Sequence, residues 1–288
     1  MANFYLKRGK IYGFFGDLSE KNVYSITIRA PFFWVRIIMG IQAENIQLSL
    51  GQRTILHNVS LTVPKGQSLV LMGQSGVGKS VLLRCILGLL PRQKGLVHID
   101  QYHTTPESPV PNSSFFDKAG VVFQSYALFD SLTVWENIAF RVHGSVSMRR
   151  KRAARLLDQV ELSAKTMDLY PSALSGGMKR RVSIARAMAL DPTYLFFDEP
   201  TEGLDPILSN TVALLIRKVI TQLKATAITI SHNIHNAVQI GDQIALLDEG
   251  GLVWQGKTDA LQHTLHPLMR QFVACSFSEN SSTKKKTP

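Results

Sequence analysis

The sequence predicts an α/β fold with a mostly parallel core sheet, and three observations predict it. Four short apolar runs, at 68–72, 121–123, 194–197 and 227–230, read as strands buried on both faces. Each delivers polar residues at its carboxyl end: a glycine-rich loop after Met72, Gln124 after Phe123, Asp198 and Glu199 after Phe197, and Ser231 and His232 after Ile230. Helical patterns separate the runs, as parallel connections require. Ligands of open α/β sheets sit at the carboxyl ends of the strands, so these polar groups are expected to converge on one site.

The elements follow in order. Residues 1–38 show no clear period and are expected to lie outside the main fold. They are also consistent with a start codon assigned too early, Met39 being the true start; mass spectrometry of the native N-terminus detecting residues 1–38 would refute that reading. An alternating pattern then begins, with Ile46, Leu48 and Leu50, a turn at Gly51-Gln52, and a return strand carrying Val59, Leu61 and Val63. This predicts an N-terminal antiparallel β-subdomain. Residues 125–173 carry no buried strand pattern and read as a helical insert, with Leu156, Leu157 and Val160 on one face of a helix starting near Ser147. A second hairpin-like pair surrounds Glu249-Gly250-Gly251. The folded unit is expected to span 39–270, followed by a polar basic tail at 271–288.

Composition narrows the function. The 288 residues carry a net charge of +11. Residues 1–40 hold six basic against two acidic side chains and residues 270–288 hold four against one, so much of the excess is in the ends. Solvated tails account for it better than a nucleic-acid surface, and no nucleic-acid partner is expected. The run Arg149-Arg150-Lys151-Arg152 reads as the wet face of a helix. The longest apolar stretch, Ala30 to Ile41, is interrupted by Arg36 and falls short of the ~18 residues that cross a bilayer. Cys85 and Cys275 have no metal-ligand spacing; Cys85 is expected in the core, in keeping with a reducing cytosol.

Gly73-Gln74-Ser75-Gly76-Val77-Gly78-Lys79-Ser80, continuing into Val81, fits G-x-x-x-x-G-K-[ST] between a strand and a helix. Its glycines let backbone N–H groups approach phosphate oxygens, and the helix start adds its positive dipole end. Lys79 is expected to neutralise the β- and γ-phosphates, and Ser80 to bind Mg²⁺. Asp198 ends an apolar strand, where it holds Mg²⁺ through water; Glu199 is the candidate for polarising the attacking water. Ser175-Gly176-Gly177 caps a helix carrying Met178, Val182, Ala185 and Ala189 on one face, a second phosphate-binding terminus. Gln124 and His232 are assigned to sensing the γ-phosphate, metal and water, Gln124 also as a metal ligand. His57, His98, His103, His235 and His263 are assigned no role.

With these residues in place, the chain resembles the ATP-binding cassette (ABC) transport ATPases over about residues 41–270. The resemblance implies a P-loop NTPase cassette fold, with Gly73–Ser80 as Walker A, Gln124 as the Q-loop, Leu174–Met178 as the signature, Asp198 and Glu199 as Walker B and base, Leu204-Asp205 as the D-loop and His232 as the switch. It implies ATP and Mg²⁺ as ligands and a head-to-tail homodimer, each signature closing on its partner's γ-phosphate, with Asp205 at that nucleotide site. Cassettes of the family stack adenine on an aromatic residue in the first hairpin; here Leu50 stands at that place.

A narrower resemblance involves residues 122–134 (Val-Phe-Gln-Ser-Tyr-Ala-Leu-Phe-Asp-Ser-Leu-Thr-Val), Leu174–Arg181 with Met178 where Gln is usual, and Leu268-Met269-Arg270-Gln271-Phe272. These are similar to cassettes of the Mla/MCE phospholipid transporters. That implies a permease, an MCE-type lipid-binding protein and a possible STAS-domain subunit as partners, with the cassette peripheral on the cytoplasmic face of the inner membrane. Ser125–Leu132 would then meet the permease, with Phe129 as an apolar anchor. The alternative is the ATPase of another ABC importer, for amino acids or another small solute. A cytosolic cassette acting on ribosomes or DNA is disfavoured by the single cassette and the lack of zinc-binding cysteines.

Overall fold

A computed structural model describes residues 3–7, 10–14, 26–28, 39–111 and 113–273. The chain divides into two compact units, Met1–Met39 and Gly40–Pro288. In the first, β1 (Asn3–Lys7), β2 (Lys10–Phe14) and β3 (Ile26–Ile28) pair as a three-stranded antiparallel sheet.

The second unit opens with the predicted hairpin, β4 (Met39–Leu50) and β5 (Arg53–Pro64), joined through Gly51 at φ 59°. Next come β6 (Ser68–Met72) and helix α1 (Lys79–Ile86). Strands β7 (Lys94–Ile99) and β8 (Tyr102–Thr104) then complete a four-stranded sheet of order β5-β4-β7-β8. The sequence reading had no strand at 94–104. Only Val97 and Ile99 carry the period-2 signal there, too short a run to separate from a loop.

Helix α2 (Ser113–Lys118) leads to β9 (Ala119–Val122), which begins two residues before the predicted apolar run and stops short of Phe123. The insert holds α3 (Val134–Ile138), α4 (Val146–Gln159) and 3₁₀ turns at Ala164–Thr166 and Pro171–Ala173. Ser145 caps α4 by accepting from the Met148 N–H. Thr133 and Glu136 form a reciprocal capping box on α3. After α5 (Gly176–Ala187) come β10 (Tyr194–Phe197), α6 (Pro206–Leu223), β11 (Thr226–Ile230), α7 (Ile234–Ile240), β12 (Gln243–Asp248) and β13 (Gly251–Lys257).

The large sheet runs β13-β12-β6-β11-β10-β9, parallel except for the β12–β13 hairpin. Its inner strands feed two cores by simple alternation. Val70, Met72, Leu195, Phe197, Ala227, Ile244 and Leu246 pack on the α3–α7 side. Leu69, Leu71, Tyr194, Phe196, Ile228, Ile230, Ala245 and Leu247 pack against α1 and the antiparallel sheet. A strand with apolar residues on both faces is stable only when both are covered, which is why these segments read as unbroken apolar runs.

Cys85 is fully buried in α1, and burial pushes its thiol up to about 11. A last helix, α8, covers residues 267–273, with Met269 fully buried and Leu268 and Phe272 packed on the core. The fold therefore runs three residues past the predicted boundary at 270, because Phe272 continues the apolar face that Leu268 and Met269 begin. Residues 274–288, with Cys275, lie outside the described residues.

Candidate nucleotide site

Parallel pairing brings the predicted strand ends to one edge of the sheet. The Asp198 N–H donates to the Val122 carbonyl at 2.9 Å, and the Ser231 N–H to the Leu71 carbonyl at 3.2 Å, so the turns after β6, β9, β10 and β11 lie side by side. The loop after β6 needs its glycines. Gly73 sits at φ 149°, and a Cβ there would lie 2.3 Å from the Leu247 carbonyl oxygen; Gly76 and Gly78 sit at φ 83° and 105°.

Lys79 is buried at the start of α1. Its ammonium donates to the Gly73 and Gln74 carbonyls, both at 2.9 Å, and lies 3.6 Å from Glu199 Oε1. Ser80 Oγ donates to Asp198 Oδ1 at 2.7 Å. Glu199, left-handed at φ 47°, places Oε2 3.0 Å from His232 Nδ1. Its side chain is 11% exposed while that of His232 is 56% exposed, so the imidazole is the solvent-facing member of the pair. Ser75, Gly76, Gly78, Lys79, Ser80, Val81, Gln124 and Glu199 line one cavity of about 250 Å³ with Arg53, Ile55 and Glu202.

The sequence reading missed the side chains that hold the Gln124 segment. Gln124 Nε2 donates to Glu202 Oε2. Arg180, 1% exposed on α5, donates to the Phe123 carbonyl at 3.0 Å and stacks 4.5 Å from the Tyr126 ring centroid. Arg186, two turns on, donates to the Ala127 carbonyl at 2.6 Å and the Tyr126 carbonyl at 3.1 Å. Desolvation lowers the pKa of both arginines. Together they hold Tyr126 and Ala127 in consecutive left-handed conformations, φ 62° and 49°. The fully buried Asn137 then pins the next stretch, donating to the Phe129, Leu132 and Thr133 carbonyls. The available signal was the Lys179-Arg180-Arg181 run after the capped glycines, and nothing local distinguishes the buried Arg180 from its neighbours.

Other predicted residues stand apart from this cavity. Ser175 Oγ accepts from the Met178 N–H at 3.3 Å to cap α5, and a Cβ on Gly177 would meet Leu208 Cδ2 at 2.8 Å. Asp205 caps α6 by accepting from the Ile207 and Leu208 N–H groups at 3.1 and 3.0 Å. Ser175, Gly176, Gly177 and Asp205 line none of the phosphate-loop cavity. Leu50 does not line it either.

The cluster fits a nucleoside triphosphate with Mg²⁺. Positive-φ glycines leave room at the backbone, Lys79 supplies a buried cation, and the Ser80–Asp198 pair presents two hard oxygen ligands. Fold and site together define a phosphate-loop nucleotide-binding cassette. The profile of the ABC transporter family matches residues 56–202, and the chain belongs to that family.

Among curated relatives, the chain is 36% identical over 221 residues to the sulfate/thiosulfate import ATP-binding protein CysA of Escherichia coli K12, an alignment covering 74% of this chain and 59% of that protein. It is also 36% identical over 237 residues to the methionine import ATP-binding protein MetN of Carboxydothermus hydrogenoformans, covering 80% and 70%. The chain thus spans about three-fifths of the length of the sulfate/thiosulfate relatives. Among solved structures, the dimeric post-hydrolysis state of the cassette MJ0796 bound to ADP and Pi superposes with a TM-score of 0.67 at 31% identity, covering 76% of this chain and 98% of that one. CbiO1 from Clostridium perfringens shares the fold, with a TM-score of 0.67 at 24% identity, covering 78% and 91%.

Proposed function

We propose that this chain is the ATP-hydrolysing subunit of an ABC transporter. The observation that carries the proposal is Glu199, held between Lys79 and His232 beside the Ser80–Asp198 pair. In this arrangement Lys79 and the loop amides hold the β- and γ-phosphates. The Glu199 carboxylate accepts a proton from the attacking water, and His232, bonded to the same carboxylate, orients that water. Bound Mg²⁺ supplies charge neutralisation across the phosphates, with Ser80 and Asp198 as its protein ligands and Gln124 at the edge of the same cavity. Glu199→Gln in the full chain is expected to keep ATP binding and to lose hydrolysis by about 10²-fold or more. An unchanged turnover rate refutes the assignment.

Two features support partners. The signature residues Ser175–Gly177 are absent from the phosphate-loop cavity of their own chain, which favours supply of that helix start by a second copy; the cassette MJ0796, solved as a dimer, is a precedent. An apolar groove of about 430 Å³, lined by Phe116, Val121, Phe123, Phe129, Ile138 and Phe140 among others, suits an apolar segment of a membrane permease. The Phe129 and Phe140 rings lie 4.7 Å apart and about half exposed at its rim. No helix among the described residues is long and apolar enough to cross a membrane. A peripheral place on the cytoplasmic face, through that permease, is part of the proposal.

For the cargo, the sulfate/thiosulfate and methionine relatives support import of a small solute over phospholipid transport. The phospholipid reading keeps the support of residues 122–134 and of Met178 in the signature. Purification from membranes separates the two. A co-purifying solute-binding protein supports import, whereas an MCE-type protein, with or without a STAS subunit, supports phospholipid transport.

A further inference from the structure

Glu199 and His232 sit in turns that follow different strands, and each turn is closed on itself. After β10, the Glu202 N–H donates to the Glu199 carbonyl at 3.2 Å. After β11, Ser231 Oγ accepts from the Asn233 N–H at 3.1 Å and donates to the Asn233 carbonyl at 3.3 Å. Asn233 Oδ1 then caps α7 by accepting from the His235 and Asn236 N–H groups at 2.9 and 3.2 Å. His232 therefore moves with α7, and Glu199 with the segment that leads into α6. The β10–β11 ladder ends at Phe197 and Thr229, so strand pairing does not itself hold the two side chains together.

The His232–Glu199 bond joins the two turns, and Asn236 joins them again in the buried layer. Asn236 is 4% exposed, and its side-chain amide donates to Thr201 Oγ1 at 3.0 Å and to Ser209 Oγ at 2.9 Å. Thr201 is two residues from Glu199, and Ser209 lies on α6; both are buried. One planar nitrogen with two N–H groups at a fixed angle thus sets the Glu199 turn, α6 and α7 against one another. An apolar side chain of the same size fills the space without fixing that geometry. Asn236 does not line the phosphate-loop cavity. A second bond, from Gln239 Nε2 to Asn210 Oδ1 at 2.6 Å, also ties α7 to α6, but it is exposed and involves neither turn.

We propose that Asn236 is a positioning residue for ATP hydrolysis. Through Thr201 and Ser209 it sets the separation of the Glu199 carboxylate and the His232 imidazole, the two groups that hold the attacking water. The inference rests on the hydrolysis reading above. A small misplacement of such groups costs rate steeply, whereas nucleotide affinity is carried by the phosphate loop.

ATP hydrolysis by the full chain, read together with melting temperature and calorimetric ATP affinity, tests this. Asn236→Leu is expected to lower kcat about tenfold at unchanged KM and unchanged ATP affinity. It also leaves the Thr201 and Ser209 hydroxyls without their donor, so the melting temperature falls. The triple replacement Asn236→Leu, Thr201→Val and Ser209→Ala leaves no buried polar group unpaired; it is expected to recover the melting temperature but not kcat. Gln239→Leu, which breaks the exposed bond between the same helices, leaves kcat unchanged. Recovery of kcat along with stability in the triple variant would make Asn236 a packing residue only and overturn the proposal, as would an equal loss of kcat from Gln239→Leu. A crystal structure of the nucleotide-free Asn236→Leu chain gives a readout apart from turnover. The Glu199 Oε2–His232 Nδ1 separation is expected to grow from 3.0 Å to beyond about 3.5 Å, and an unchanged separation refutes the inference. If the wild-type chain does not hydrolyse ATP, the hydrolysis reading fails, and that separation still decides whether Asn236 positions the pair.

Discussion

Replacing Arg180 by Met tests whether the signature helix holds the Gln124 segment through that one side chain. Met has nearly the same length and no charge, so the packing volume survives while two interactions are lost. The hydrogen bond to the Phe123 carbonyl, 3.0 Å and charge-assisted, contributes about 2 kcal/mol. The stack 4.5 Å over Tyr126 contributes about 1.5 kcal/mol at a desolvated site. Against these stands the buried Arg180 Nε, which has no hydrogen-bond partner; its removal returns about 1.5 kcal/mol. The net expected loss is about 2 kcal/mol, or a fall of about 4–8 °C in melting temperature for a domain of this size. Thermal and urea unfolding read the loss directly. A double-mutant cycle with Tyr126→Leu should show a coupling of about 1 kcal/mol between the two side chains. A melting temperature equal to or above that of the wild type would mean that the desolvation cost of the buried guanidinium exceeds its contacts, and the reasoning would be wrong.

Two further outcomes follow from the core and the turns. Cys85 is raised by burial from 9.0 to about 11, and Tyr194 is raised too, by burial and then by its hydrogen bond to Asp100. In both cases the unfolded chain loses its proton first, so stability is complete below pH 9.0 and declines as pH rises toward about 11. Urea unfolding across that window should show the decline, and Cys85→Ala should flatten part of it; a flat wild-type profile contradicts the assignment. Separately, Gly250→Ala puts a Cβ 2.4 Å from the Ile55 carbonyl oxygen at φ 76° and should cost about 2 kcal/mol or more. Gly251→Ala, whose nearest neighbour would be 3.7 Å away, is the matched control and should be nearly neutral.

Much of the fold was legible because its signals are local. The buried parallel strands announce themselves as apolar runs, the two hairpins as alternation around Gly51 and Gly250, and the insert as helical spacing at Leu156, Leu157 and Val160. Strands β7 and β8 were not legible, since a short edge ladder leaves only Val97 and Ile99 as evidence. The described helix α8 runs past the boundary read at 270, because Phe272 is apolar in a stretch otherwise read as tail. The candidate site divides in the same way. Gly73–Ser80, Asp198, Glu199 and His232 sit in recognisable surroundings at strand ends. Glu202, Arg180, Arg186 and Arg53 sit in ordinary-looking segments, and Leu50, assigned by its place along the chain, does not line the cavity.

The sequence by itself determined that a glycine-rich loop before a helix, and an aspartate and a glutamate at the end of an apolar strand, are present, since each is specified by a few adjacent residues and the strand or helix they adjoin. Only the tertiary structure decided which groups meet. The order β6-β11-β10-β9 sets Lys79, Glu199 and His232 within reach of one another, and it seats the signature helix beside Gln124 rather than at its own phosphate loop. Strand order is an outcome of long-range packing, to which the spacing of residues along one strand is indifferent. For the same reason Arg53 and Glu202, far apart in the chain, line one cavity while Leu50, three residues from Arg53, does not.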